Sequence, residues 1–300
     1  MVTLRQIRSV VAVAEEGSFT RAASRENATQ SGISQHIAAV EQLLGVALFE
    51  RTSEGVQMTP AGRRYYRHAI VVLRNLETAA GEARAAGTGI SGDVRAGLMP
   101  AFTRAALVPP LERVIAQHPQ INIQIIEGYS GTLTEMVRAG QLDFALVPAF
   151  SGGVGLTVSP LARDREMLVS GPQTGLRHGL PVRLADLPPL KVIVPSASNV
   201  RRGKLEEYFE SHGGRIERLL EMDAMNGTLG LVARTDWVAV LPGLICVPDQ
   251  TGGTRRINPI IDPPLYSDFV VIEPARKPIS QQGLVFLQEL REEISSLVAS

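Results

Sequence analysis

Apolar positions in the first part of the chain recur at helical spacing in three short segments. The first segment begins at Thr3, which forms a T-x-x-Q capping box with Gln6. Ser18 is placed to cap a second short helix, and a third helix follows from Gln30. The pattern therefore predicts three helices with a tight turn between the second and the third.

The third helix changes character along its length. Its later turns carry an apolar stripe, whereas its first turns are polar, with Gln30, Ser31, Ser34, Gln35 and His36. Side chains of this kind suit contact with base edges in the major groove of DNA. An ordinary three-helix bundle with a polar first turn is the alternative, and His36 is then exposed without a partner.

Two short strands, around Leu48 and Val56, are expected next and would add a wing to the helices. Thr59 then caps a long helix that the pattern extends to about Ala86. Its apolar stripe is narrow, which favours pairing with a second helix over a helix folded back on its own chain. The stripe consists of Ala69, Val72, Leu73, Leu76, Ala80 and Ala83.

The segment GTGISG, residues 87–92, has the form G-x-G-x-x-G. A helix precedes it and a strand follows, which is the reverse of a dinucleotide-binding turn, so we expect a linker. From Asp93 onward, alternating strands and helices predict two successive β-α-β-α-β units and hence two α/β lobes, with one helix over Thr103–Gln117. Two such lobes are expected to form a ligand-binding cleft beyond the carboxyl ends of their strands.

Small hydroxyl and amide residues stand at several of the predicted strand ends. Most precede or open a helix, whose N-terminal N–H groups favour negative charge, so they predict a site for an anion. Arg201 and Arg202 would add a clamp for a carboxylate or phosphate, although each hydroxyl could instead merely cap its helix. The residues assigned to this effector site are Ala101, Phe102, Thr103, Ser130, Thr132, Ser196, Ser198, Asn199, Arg201, Asn226 and Thr228.

Composition adds limits to this picture. The 300 residues are 44% hydrophobic and 20% charged with a formal net charge of zero, which suits two or three ordinary domains. Cys246 is the single cysteine, so an intramolecular disulfide and a cysteine-based metal site are excluded. Charge near the amino terminus and the lack of a long apolar run predict neither a secretion signal nor a membrane span, so we expect the cytoplasm.

A neutral total leaves room for a local basic patch. Arginines surround the predicted wing and the start of the long helix, and phosphate contacts there would add affinity without sequence information. A GC-rich genome would also explain an arginine-rich chain. The residues expected to contact phosphate are Ser18, Thr20, Arg21, Arg51, Arg63 and Arg64.

Signals for catalysis are poor. The five histidines are scattered without metal-ligand spacing, and Ser130 in GYSG does not form a nucleophile elbow. We expect no enzyme activity, no metal and no cofactor.

The segments VAEEGSFTRAA, TQSGISQHIAAVEQLLGVALFER and VQMTPAG resemble the LysR-type transcriptional regulators, and a looser likeness continues in EGYSGTLTEMVRAGQLDFALV. The resemblance implies an N-terminal all-α winged helix-turn-helix, a long linker helix and a C-terminal α/β effector domain of two lobes, similar to type 2 periplasmic binding proteins. The expected limits are 1–58 for the DNA-binding domain, 59–87 for the dimerisation helix, 88–92 for a hinge and 93–300 for the effector domain. Lobe I would span about 93–161 and 268–300, and lobe II about 162–267.

The resemblance also implies partners. These are a dyad-symmetric promoter site, a second copy paired through residues 59–87 in a dimer of dimers, a small anionic metabolite or aromatic acid, and RNA polymerase. Gln35 stands where the family usually has arginine, and Glu26 where it usually has a buried leucine. The alternative is a cytoplasmic small-molecule-binding protein without a link to DNA, which would leave residues 1–88 without a role.

Overall fold

The computed structural model describes residues 1–53, 55–85, 90–150, 153–197 and 199–299. The chain forms two compact units. The first unit comprises residues 1–89 together with 152–157 and 274–278, and the second comprises the remaining residues. The segments 152–157 and 274–278 were expected to belong to the effector domain. They pack with the first unit instead, although their neighbours in sequence belong to the second.

The first unit has the order of elements that the hydrophobic pattern predicts. Its helices and strands are α1 (Leu4–Glu16), α2 (Phe19–Arg25), α3 (Gln30–Leu44), β1 (Phe49–Thr52), β2 (Gly55–Met58) and α4 (Pro60–Ala85). The capping box at the start of α1 is confirmed, since Thr3 Oγ1 accepts from the Gln6 N–H at 3.3 Å and Gln6 Oε1 accepts from the Thr3 N–H at 2.9 Å. Gly17 ends α1 with φ at 58°, a left-handed conformation that glycine adopts without strain.

The three short helices share one apolar core. Val10, Ala22, Ile33 and Ile37 are buried together there, and Leu48 at the start of the wing joins them. The small side chain of Ala22 allows the helices to approach closely. Packing of this kind fixes the orientation of α3 and leaves its opposite face in solvent.

The stripe of α4 divides between two faces. Ala69 and Leu73 are buried in a cluster with Val11 of α1, whereas Val72 is 44% exposed and Leu76 is 39% exposed. Part of the helix therefore packs on its own chain, and a second apolar strip stays in solvent. The single stripe expected from the sequence is thus two narrower ones.

The second unit begins with β3. Its elements, with β6 starting and β11 ending within segments of the first unit, are β3 (Gly92–Leu98), α5 (Pro100–Ala105), α6 (Val108–Gln117), β4 (Ile121–Glu127), α7 (Ser130–Arg138), β5 (Phe144–Pro148), β6 (Leu156–Ser170), β7 (Leu190–Val194), α8 (Arg201–Ser211), β8 (Ile216–Glu221), α9 (Met225–Arg234), β9 (Trp237–Pro242), α10 (Gly243–Cys246), β10 (Arg256–Pro259), β11 (Tyr266–Pro274) and α11 (Gln281–Ala299).

The prediction of one helix over Thr103–Gln117 is wrong. The chain forms α5 and α6 instead, and α6 begins at Val108 with a proline in its first turn. Proline has no N–H to donate to a carbonyl four residues earlier and is tolerated only in the first turn of a helix. A helix therefore cannot continue from α5 through Pro109 and Pro110, and a new one begins there.

The strands form one connected sheet in the order β4-β3-β5-β11-β6-β9-β7-β8, with β10 paired to β6. β3 is parallel to β4 and β5, and β7 is parallel to β8 and β9. Between these two parallel sets, β11 runs antiparallel to β5 and β6 runs antiparallel to β9. The two sets are the two lobes of the unit, and β6 and β11 link them.

None of the described helices has both the length and the apolar character needed to cross a lipid bilayer.

Candidate functional site

The beginning of α3 is polar and exposed. Thr29 caps the helix, its Oγ1 accepting from the Gly32 N–H at 3.1 Å. Gln30, Ser31 and Gln35 are exposed, and Ser34 is half-buried. Because the opposite face of α3 is locked into the core, these side chains sit on a rigid element and project from the first unit.

His36 is held differently from the other four. Its Nδ1 lies 2.8 Å from the buried Ser9 Oγ, which also donates to the Arg5 carbonyl at 3.0 Å. A carbonyl only accepts, so the single Ser9 proton goes to Arg5 and the histidine Nδ1–H is the donor to Ser9. This tautomer leaves Nε2 of a neutral ring as a hydrogen-bond acceptor.

The six residues expected to contact phosphate fall into two groups. Thr20, Arg51, Arg63 and Arg64 are exposed, and the Arg63 guanidinium also donates to the Met58 carbonyl at 2.7 Å. Ser18 caps α2 through the Arg21 N–H at 3.4 Å. The Arg21 guanidinium bonds the Glu16 carbonyl and lies 3.7 Å from the Glu16 carboxylate. Ser18 and Arg21 thus already have partners within the chain.

A polar cluster that the sequence did not predict joins the first unit's helices to its two short segments. Arg276 lies 2.9 Å from the Glu26 carboxylate and 3.6 Å from that of Glu15. The Tyr66 hydroxyl donates to Glu15 at 3.0 Å and accepts from the Gly155 N–H at 2.8 Å. Burial and the Glu15 charge raise the pKa of Tyr66. Glu26, unusual at its position, therefore has an arginine partner distant in sequence.

The second unit contains a pocket at the carboxyl ends of its parallel strands. It is lined by residues from both lobes, and its cavity volume is about 30 Å³. Met99 and Pro100 follow β3, Tyr129 follows β4, and Pro195 follows β7. The pocket lies where the topology of two α/β lobes predicts a cleft.

Four of the eleven residues assigned to the effector site line this pocket, namely Ala101, Asn199, Arg201 and Thr228. Phe102 instead belongs to the core, with its ring centroid 5.0 Å from that of Phe269. Ser198 lies outside the described residues. The remaining five, which are not among the lining residues, are Thr103, Ser130, Thr132, Ser196 and Asn226. Strand ends alone did not show which side chains turn toward the pocket.

The expected anion clamp is not supported by the geometry. Arg201 is 7% exposed, and its Nε and Nη2 lie 3.1 and 2.6 Å from the Glu166 carboxylate. Nη2 also lies 3.2 Å from the Val240 carbonyl. Arg202 is paired as well, with Glu206 at 2.6 Å and Glu221 at 3.3 Å. The sequence placed both arginines near the cleft but did not reveal their acidic partners.

Asp164 is a second buried acid near this ion pair. Burial raises its pKa to about 6, and the neighbouring Glu166 charge acts in the same direction. Its Oδ2 accepts from the Leu244 N–H at 2.8 Å. Cys246 is also buried, and burial raises the pKa of its thiol. This environment disfavours the thiolate on which cysteine reactivity depends.

Comparisons with known proteins agree across the whole chain. Residues 4–63 match the model described as bacterial regulatory helix-turn-helix protein, lysR family, and residues 87–295 match the LysR substrate binding domain. The nitrogen assimilation regulatory protein nac of Escherichia coli is 26% identical over all of this chain and 96% of its own length. The HTH-type transcriptional regulator BbuR of Bordetella bronchiseptica is 31% identical over 71% of this chain and 66% of its own length.

A solved structure shares the fold. Full-length CbnR in complex with its target DNA has a TM-score of 0.56 and 20% identity, covering 97% of this chain and 99% of that one.

Proposed function

Because the chain belongs to the LysR family of transcriptional regulators, we propose that it binds a dyad-symmetric promoter site through the first turns of α3. We further propose that it responds to a small molecule held in the pocket of its second unit. The observation that supports the first part most strongly is the exposed polar start of α3 on a helix whose other face is buried.

Each exposed residue has a chemical role in this proposal. The Gln30 amide bonds adenine N6 and N7, and Ser34 and Gln35 contact neighbouring base edges. Arg51, Arg63 and Arg64 neutralise phosphates beside them. CbnR, whose structure was solved with its target DNA, shares this fold. Because promoter DNA of a bacterium lies in the cytoplasm, we propose that the protein acts there.

The exposed strip of α4 provides the second copy's binding surface. Val72 and Leu76 form part of an apolar strip that the chain itself leaves in solvent. Two such helices packed together would set the distance between two α3 helices and so match two half-sites. A dimer of dimers, and contact with RNA polymerase at the promoter, complete the proposed assembly.

Selection of DNA tests the proposal directly. The full chain is incubated with a library of random duplexes, and the retained fraction is amplified and sequenced. We expect two related half-sites in inverted order. Retention without enrichment of any sequence would contradict base recognition, and no retention would favour a small-molecule-binding protein without a link to DNA.

A matched pair of variants tests the dimer. Val72→Glu places a charge in the exposed strip and should shift the full chain toward monomer in sedimentation velocity runs. Arg67→Glu, also exposed on α4 but outside that strip, is the control and should leave the dimer intact. Equal effects of both changes would argue against pairing through this strip.

A further inference from the structure

We infer that the pocket of the second unit takes an uncharged molecule with a largely apolar body and one hydrogen-bonding group, rather than an anion. This inference rests on the proposed function, since it names the class of ligand for the same regulatory pocket. Three independent features of the lining support it: its apolar wall, the neutralised arginine, and the neutral partners of the helix ends.

The wall is mainly apolar. Three methionines, Met99, Met222 and Met225, line it together with proline and aliphatic side chains of both lobes. Thioethers are polarizable and adapt to the shape of a ring, which they contact favourably. A flat or compact hydrocarbon body suits this surface.

Among the described residues of the lining, Arg201 is the single charged side chain, and it is already neutralised. The Arg201 guanidinium forms two bonds to the Glu166 carboxylate, which is 1% exposed and also accepts from the Ser267 hydroxyl. A ligand carboxylate would have to displace Glu166, which is held by two bonds from Arg201 and by a second partner, Ser267. Otherwise the ligand would lie beside a carboxylate and meet like-charge repulsion.

Further acids surround the site. Asp164 lies close enough to Glu166 and Arg201 to interact with both electrostatically. The negative charges of Asp223 and Glu127 act on Tyr129 in the lining and raise its pKa together with burial. These two acids oppose the approach of an anion to Tyr129, and the Arg201 charge acts on the same hydroxyl in the opposite direction.

Two helix N-termini that would attract an anion have neutral partners instead. The Asn199 side-chain carbonyl accepts from the Arg201 N–H at 3.1 Å at the start of α8. At the start of α9, the Met225 N–H interacts with the Tyr129 hydroxyl and acts to lower its pKa. Each contact occupies one of the N–H groups that a helix end offers to phosphate or carboxylate, so less of the positive end is free for an anion.

Two neutral polar side chains of the lining can orient a ligand. In the described part of the chain, the Asn199 side-chain N–H₂ and the Thr228 hydroxyl have no protein hydrogen-bond partner, and both residues line the pocket. The amide donates to a carbonyl or hydroxyl oxygen, and the hydroxyl both donates and accepts. A primary amide or an alcohol on an apolar body matches this pair.

Three probes of equal shape and different charge test the inference. The full chain is titrated with benzamide, benzoate and benzamidine, which are neutral, anionic and cationic at neutral pH, by calorimetry and by thermal unfolding. We expect benzamide to bind and to raise Tm, and benzoate and benzamidine each to bind at least about tenfold more weakly, which is 1.4 kcal/mol. Tighter binding of benzoate or of benzamidine than of benzamide would overturn the inference. The absence of binding by any probe at millimolar concentration would overturn it as well.

Variants place the binding in the pocket. Thr228→Val keeps the shape of the side chain and removes its hydroxyl, so it should weaken benzamide at least about fivefold. Thr254→Val, at an exposed position outside the lining, is the control and should bind as the wild type does. Asn199→Asp keeps the acceptor for the Arg201 N–H but removes the donor, and it should also lose benzamide. Wild-type affinity in both Thr228→Val and Asn199→Asp would overturn the assignment.

The DNA selection described above is run on the same preparation. Enrichment of half-sites together with a preference for benzoate would refute the inference and leave the proposed DNA binding standing. Benzamide binding without retention of DNA would support the inference and contradict the proposed DNA binding.

Discussion

Ser9 on α1 and His36 on α3 are joined by a hydrogen bond of 2.8 Å between the serine hydroxyl and the ring Nδ1. Ser9 is buried, so a residue of the core fixes the tautomer and the direction of a ring on the helix that we propose reads DNA. The half-buried His36 ring on α3 is thus held by a residue 27 positions away in sequence.

Ser9→Ala tests this support. The substitution removes the partner of His36 Nδ1 and frees the ring to rotate, so binding to a selected duplex should weaken by about 1 kcal/mol, or roughly fivefold. Fluorescence anisotropy with a labelled duplex measures the affinity. Ser211→Ala, an exposed position in the second unit, is the control. Unchanged affinity in Ser9→Ala would show that the orientation of His36 has no part in recognition.

Gln30→Ala and Arg64→Ala separate base recognition from phosphate contact. Loss of the Gln30 amide should cost about 1–3 kcal/mol and relax preference at one base pair. Loss of Arg64 should weaken all duplexes alike and reduce the salt dependence of binding by roughly one unit. Titrations at several salt concentrations, on selected and scrambled duplexes, compare the two. The same loss of sequence preference in both variants would contradict these roles.

Arg201→Met tests the buried ion pair. The change leaves Glu166 buried without its cation, so the free energy of unfolding of the second unit should fall by about 3–5 kcal/mol. Arg163→Met is the matched control, because Arg163 is exposed and lies 3.7 Å from Asp268, and its loss should cost at most about 1 kcal/mol. Urea unfolding of the full chain gives both values. A cost for Arg201→Met no larger than that of the control would refute a structural role for the pair.

Asp164 makes stability depend on pH. Its pKa is raised to about 6 by burial in the folded state, so the folded chain holds this proton more tightly than the unfolded chain. The contribution of Asp164 to the free energy of unfolding is greatest below a pH of about 4 and is lost as the pH rises through about 6. Asp164→Asn keeps an acceptor for the Leu244 N–H and removes the titration. As the pH rises between these values, the free energy of unfolding should fall by about 2–3 kcal/mol more for the wild type than for the variant. Parallel pH profiles would exclude the effect.

The Glu26–Arg276 pair gives a prediction for the first unit. Both side chains are mostly buried and lie 2.9 Å apart, so a double-mutant cycle with Glu26→Gln and Arg276→Gln should show a coupling energy of about 1 kcal/mol. Urea unfolding of the four chains measures it. Additive effects would mean that Glu26 is tolerated at this position without help from Arg276.

The helices of the first unit were predictable because their signals are local. The capping box at Thr3, the glycine that ends α1 and the spacing of apolar residues in α3 all act within a few positions. The exception in the second unit is the break between α5 and α6, which the prolines at the start of α6 impose although the apolar period continues across them. Periodicity alone does not show where a backbone turns.

The candidate pocket was predictable only as a location. Strand order and helix order place a cleft at the carboxyl ends of β3, β4 and β7, because parallel strands end at one edge of a sheet. The chemistry of the cleft was not predictable, since Arg201 looked like a free cation until the fold placed Glu166 beside it. These two residues are 35 positions apart and lie on different elements.

The linear order of apolar, polar and capping residues was thus sufficient to determine the winged helix-turn-helix, the long α4 and the two α/β lobes, because those signals are read over one or two helical turns. Tertiary structure alone decided which charges are neutralised, as in Arg201 with Glu166 and Arg276 with Glu26. The electrostatic character of a site depends on distances of a few ångströms between residues remote in sequence, and folding sets those distances.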